Sequence, residues 1–145
     1  MADIVHRVEI HRAPDDVYAA VTEEAGLQAW WTGMVKARPE VGSVAEFRFG
    51  EGQHGPDMEV VELEPNRRAV WKCKSGIPDW VGTEFAFDIE PSESGSVLRF
   101  RNSGWAVASD FYAHCNCKWG FFLGVSLKDY LETGKGRPAP EDPDF

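Results

Sequence analysis

Apolar and charged residues alternate with period two through the middle of the chain, and a period near 3.6 takes over in its C-terminal third. The two patterns predict a sheet followed by a helix. Phe47 and Phe49 alternate with Glu46 and Arg48; Met58 and Val60 with Asp57, Glu59 and Val61; Ala69, Trp71 and Cys73 with Val70 and Lys72. Thr83, Phe85, Phe87 and Ile89 then alternate with Glu84, Ala86 and Asp88, and Leu98, Phe100 and Asn102 with Arg99 and Arg101. Glu64-Pro65-Asn66 and the stretch from Pro91 to Gly95 read as turns. Apolar-in, charged-out alternation indicates an antiparallel sheet with one wet face. Ahead of it, Val5, Val8 and Ile10 predict a first strand. Pro14, Asp15 and Asp16 open a short helix bearing Val17, Ala20 and Val21, and Glu23 to Trp31 predicts a second, broken helix with Leu27, Trp30 and Trp31.

Ser109 to Thr133 reads as one long helix, with Asp110 at the positive end of its dipole and Gly134 where a C-cap glycine belongs. At about 100° per residue, Tyr112, Cys115, Asn116, Trp119, Phe122, Leu123, Ser126, Leu127 and Tyr130 share one face. That face mixes large aromatics with short polar groups, so it is expected to be part core and part cavity wall. The dry face of the sheet must close against it, which makes the chain α+β, with a curved antiparallel sheet wrapped around a long C-terminal helix. A single domain over residues 1–145 is expected, its tail from Lys135 to Phe145 extended.

Composition narrows the function. The formal charge of −9 opposes nucleic acid and anionic membrane surfaces as partners. No apolar run approaches a membrane span and Met1-Ala2-Asp3-Ile4 lacks a basic start, which predicts a cytoplasmic protein. Three cysteines without a disulfide framework fit reduced thiols. Six Trp and nine Phe give the apolar content an aromatic weighting.

Most motifs for chemistry fail on context. Gly50-Glu51-Gly52-Gln53-His54-Gly55 matches a dinucleotide fingerprint by letter, but Pro56 and a strand follow it where a helix N-terminus is needed. The segment reads instead as a hairpin loop at a cavity mouth. His114, Cys115 and Cys117 suggest metal ligands, yet Cys115 and Cys117 project about 200° apart, leaving two ligands where zinc needs three or four. No metal and no cofactor are therefore expected. Nucleophile elbow, zincin and P-loop motifs are missing. Asp57, Glu59 and His54 are the titratable candidates at the cavity rim.

The local motifs are Ala13-Pro14-Asp15-Asp16-Val17-Tyr18, Leu27-x-x-Trp30-Trp31, Val41-Gly42-Ser43-x-x-Glu46-Phe47-Arg48-Phe49 and Glu64-Pro65-Asn66-Arg67-Arg68. Asn102-Ser103-Gly104-Trp105 and the run from Trp119 to Gly136 join them. In this order of elements they resemble the helix-grip fold of the SRPBCC superfamily, which includes START lipid-transfer domains and birch-pollen-allergen-like proteins. Within it, the chain looks like the branch of small bacterial proteins homologous to the C-terminal domain of the heat-shock chaperone ATPase activator. The resemblance spans Val5 to Pro138. It implies a ligand carrier, a polyketide aromatase or cyclase, or a chaperone partner. Two departures stand out: the usual glycine pair before the third strand is Gly42-Ser43, and the usual histidine of the last-strand motif is Asn102.

The expectation is a small hydrophobic ligand, aromatic or polycyclic, bound without turnover between sheet and helix. The expected lining is Trp30, Phe47, Phe49, Met58, Trp71, Phe85, Phe87, Phe100, Asn102, Tyr112, Cys115, Asn116 and Trp119. A cyclase or hydratase acting on an aromatic or polyketide-like substrate is the alternative from the enzyme class, and a chaperone or stress-response partner that from the interaction class. On the helix's other face, His114, Cys117, Phe121 and Val125 lie about 180° from Trp119. Phe121 and Val125 there are expected to be covered by a second copy, in a homodimer, or by the Pro-rich tail.

Overall fold

Alternating side chains put seven segments into one antiparallel sheet. The computed structural model describes residues 1–145 and orders the strands β1-β7-β6-β5-β4-β3-β2. These are β1 (Ala2–Ile10), β2 (Met34–Lys36), β3 (Val44–Arg48), β4 (Asp57–Glu64), β5 (Arg68–Ser75), β6 (Glu84–Ser92) and β7 (Gly95–Trp105). Phe47, Met58, Trp71, Cys73, Phe85, Phe87, Leu98 and Phe100 all point inward and are buried. The outer face carries ion pairs such as Arg68–Asp88 at 2.7 Å and Arg101–Asp3 at 2.8 Å. The architecture is α+β, a helix-grip arrangement.

In β1 the inward set differs from the expected one. Ile4 and Ile10 are buried, whereas Val5 is exposed. Pairing decides this: Ile4 lies opposite Asn102 and Val8 opposite Leu98, and paired residues of neighbouring strands face the same side.

Between β1 and β2 stand α1 (Pro14–Thr22) and α2 (Glu24–Trp30). They cross so closely that a Cβ on Gly26 would lie 2.6 Å from Ala20 Cα. Trp30 Nε1 donates to Ala20 O at 2.8 Å across the same contact.

The C-terminal helix begins at Ser109, whose Oγ accepts from the Tyr112 amide at 3.2 Å. It runs as α3 (Asp110–Phe121), a π-helical turn (Phe122–Leu127) and α4 (Lys128–Thr133), and ends at left-handed Gly134, φ 92°. The expected continuous helix is thus present with a wide turn in it. A π-turn accommodates an extra residue and rotates everything after it by about one position. Leu131 therefore comes inside, and Tyr130 is only half-buried. Asn116 is a second correction, because it is exposed. Up to Gly120, α3 passes the sheet along a narrow stripe, burying Cys115 and Trp119 alone, and Asn116 falls beside that stripe. Tyr112 is half-buried, its hydroxyl donating to Asp3 O at 2.6 Å.

The tail settles what covers Phe121. Ser126 Oγ donates to Trp30 O at 2.7 Å and accepts from the Arg137 amide at 2.7 Å. The Ala139 amide reaches Trp31 O at 2.8 Å, and the Arg137 guanidinium lies 5.1 Å from the Phe121 ring centroid. Phe121 is consequently buried under the chain's own tail and is not free to meet a second copy, while Val125 stays 39% exposed. No helix is long and apolar enough to cross a membrane.

Candidate ligand-binding cleft

Where the sheet, the start of α3 and the tail converge, the aromatic residues do not close up completely. A cleft of about 340 Å³ remains. Trp31 follows α2, Phe49 and His54 come from the β3–β4 hairpin, and Ile77 and Trp80 from the β5–β6 connection. Phe111, His114, Cys115, Lys118, Trp119 and Phe122 come from the helix, and Asp142 from the tail.

Three indoles form the floor. Trp31 stacks on Trp80 at 6.5 Å and 18°, Trp80 on Trp119 at 6.2 Å and 29°, and Trp31 meets Trp119 at 5.0 Å. Phe49 closes one side edge-on to Trp31 at 5.6 Å. Behind this floor Trp31 also packs on Phe47 and Trp71, at 4.5 and 6.1 Å, so floor and core are continuous. Such offset and tilted contacts suit ring quadrupoles and hold the floor rigid.

Of the expected lining, Phe49, Cys115 and Trp119 border the cleft. Trp30, Phe47, Met58, Trp71, Phe85, Phe87 and Phe100 are fully buried and packed against one another below it, so they belong to the core. Asn102 also lies away from the opening. Its amide donates to Thr83 Oγ1 (3.2 Å) and Glu84 O (3.0 Å) and its oxygen accepts from Trp105 Nε1 (2.6 Å), so both donors are used and the fully buried side chain presents nothing to the cleft. Tyr112 and Asn116 do not border the cleft either. Trp31, Ile77, Trp80, Phe111, His114, Lys118, Phe122 and Asp142 border the cleft without being in the expected lining. Trp80 sits in a short Pro-Asp-Trp turn without periodicity, and the meeting of Lys118 with Asp142 spans 24 residues of chain.

Polar groups are few here. Lys118 Nζ donates to Asp142 and to Pro143 O (2.6 Å), and it lies 6.0 and 5.5 Å from the ring centroids of Phe122 and Phe145. Trp80 is 6% exposed and its Nε1 has no hydrogen-bond partner of normal geometry. Its neighbour is the Cys115 thiol, which burial pushes up to about 11; proximity of the Trp80 N–H offsets part of that rise and the Asp79 charge adds to it. No three His, Cys, Asp or Glu side chains converge on a point.

The thiols yield a direct check. Cys117 is exposed, Cys73 and Cys115 are buried. At pH 8, iodoacetamide will label Cys117 rapidly and Cys115 only on unfolding, as peptide mass mapping will show. Because the folded-state value of Cys115 is raised from 9.0 to about 11, its neutral form stabilises the fold fully below pH 9, and that contribution disappears as pH rises through about 11. Equal labelling of Cys115 and Cys117 at pH 8 would contradict the burial.

A long helix gripped by a curved sheet, with an aromatic cleft at one end, defines an SRPBCC-type helix-grip protein. Residues 11–132 match the family described as activator of Hsp90 ATPase homolog 1-like protein, and the chain belongs to that family. Among solved structures, the Aha1 dimer from Colwellia psychrerythraea is 43% identical with a TM-score of 0.85, over 94% of this chain and 100% of that one. DynU16, from the dynemicin biosynthetic locus, is 25% identical with a TM-score of 0.76, over 98% of this chain and 50% of that one. CalU16 from Micromonospora echinospora shares the fold at 17% identity and a TM-score of 0.73, over 96% of this chain and 78% of that one. No curated protein matches the sequence.

Proposed function

We propose that this protein binds a small aromatic or polycyclic molecule in the cleft, in the cytoplasm and without turnover. The observation that carries this reading is the floor of three indoles, all nearly buried yet opening on a cleft of about 340 Å³. Flat rings gain most on such a floor, because stacking adds about 0.5–1.5 kcal/mol to the burial of area, whereas a straight acyl chain gains burial alone. The volume is within the lower range of small-molecule sites.

Titration with methyl 2-naphthoate, a neutral aromatic probe, will quench the indole fluorescence saturably, and methyl octanoate will do so far more weakly. Phe111→Ala, at the half-open rim, will weaken naphthoate ester binding about threefold to tenfold. Absence of saturable quenching by the ester would sink the reading.

The Colwellia relative supports a second element. We infer that this chain also pairs with itself, as that protein is described as a dimer. With Phe121 under the tail, Val125 is the apolar residue of that stripe left for such a contact. Light scattering of Val125→Asp reads it: a dimeric wild type and a monomeric variant support pairing through this stripe, and a monomeric wild type rejects it.

A further inference from the structure

We propose that the ligand is an aromatic acid, and that Asp142 of the tail occupies in the free protein the place its anionic group takes when bound. This rests on the aromatic-ligand reading above and specifies it.

The cleft wall carries one ammonium, that of Lys118, with two imidazoles, His54 and His114, at other points of the lining. In a chain of net charge −9, a cation set among rings is a local exception. The Lys118 side chain is only 21% exposed and lies against Phe122 and Phe145, so its ammonium has lost much of its water and needs a counter-charge. The tail supplies one. Asp142, itself 13% exposed, reaches Lys118 from residues beyond the last helix, and both side chains border the cleft.

That arrangement is exchangeable in a way the rest of the lining is not. The tail is fixed upstream by Ser126 to Arg137, Trp31 to Ala139 and the passage of Gly136, where a Cβ would lie 2.5 Å from Ala29 O. Beyond Ala139, its side-chain hold on the body is the Lys118–Asp142 pair, with Pro143 O and the Phe145 ring beside it. A carboxylate arriving on an aromatic ring can take Lys118 over while the anchored part of the tail remains seated. The buried Trp80 Nε1–H, which has the weakly accepting Cys115 sulfur as its neighbour and no oxygen partner, is a second donor in the wall.

The test uses 2-naphthoate and methyl 2-naphthoate, matched in shape and differing in charge. Asp142→Asn will tighten 2-naphthoate binding about tenfold and leave the ester unchanged, since only the anion competes with the Asp142 carboxylate. Lys118→Met will abolish the difference between the two probes. Hydrogen exchange at the amides of Glu141, Asp142, Asp144 and Phe145 will accelerate on binding of 2-naphthoate but not of the ester. If the ester binds and both probes respond alike in Asp142→Asn and Lys118→Met, the acid assignment is wrong and the aromatic-ligand reading stands. If neither probe binds, both are wrong.

Discussion

Trp31→Ala is expected to lower the stability of the fold by about 3–5 kcal/mol and to abolish binding of methyl 2-naphthoate. Trp31 is 2% exposed and its ring lies within 6.5 Å, centroid to centroid, of Trp30, Phe47, Phe49, Trp71, Trp80 and Trp119. Removing it leaves a void between floor and core that neighbouring rings, fixed on strands and helix, cannot fill by a rotamer change. Urea denaturation measures the first effect. Trp31→Phe separates the two, because it restores most of the packing with a smaller stacking surface; stability should recover more than affinity does. A loss below about 1 kcal/mol for the alanine variant would mean that the site collapses freely, contrary to the packing seen.

Asn102→Leu carries the second large effect, about 3 kcal/mol of destabilisation. The substitution keeps the branched four-atom shape of the side chain and removes both donors and the acceptor at once. Glu84 O loses one donor, and the buried Trp105 Nε1–H loses its acceptor. The cost comes from polar groups stranded out of water, not from lost apolar contact. Asn102 is a strut rather than a ligand anchor, so the affinity of the folded variant for methyl 2-naphthoate should match that of the wild type. A large affinity loss with little loss of stability would restore Asn102 to the binding site. The arrangement suits asparagine in particular: the amide provides two donors and an acceptor together, and a neutral imidazole provides one of each.

The sequence made the architecture legible and the cleft only partly so. Phe85, Phe87 and Phe100 alternate with charged or small neighbours, and strict alternation has one structural meaning when one sheet face is wet. The same regularity says which way a ring points but not whether it lies in the packed layer or at an opening. Phe47 in β3 and Phe49 just past its end are two residues apart, both on the inner side; the first is core and the second cleft. Depth depends on where the helix ends and the sheet curls. Trp80 escaped because a single turn of helix has no period to detect, and Lys118 because its position on α3 says nothing of a tail that returns to it. Asn116 failed for a different reason. The angular count is right within α3, but a narrow contact buries less of the circumference than the count assumes.

The wide turn at Phe122–Leu127 matters for comparing this chain with its relatives. In alignment terms it acts as a one-residue insertion inside a helix, invisible as a loop. A homologue with a regular helix there should be one residue shorter, its gap falling between 122 and 127. Aligned without that gap, its inward positions would be matched to outward ones from Lys128 to Thr133, and substitution patterns at Leu131 and Tyr130 would be read on the wrong faces.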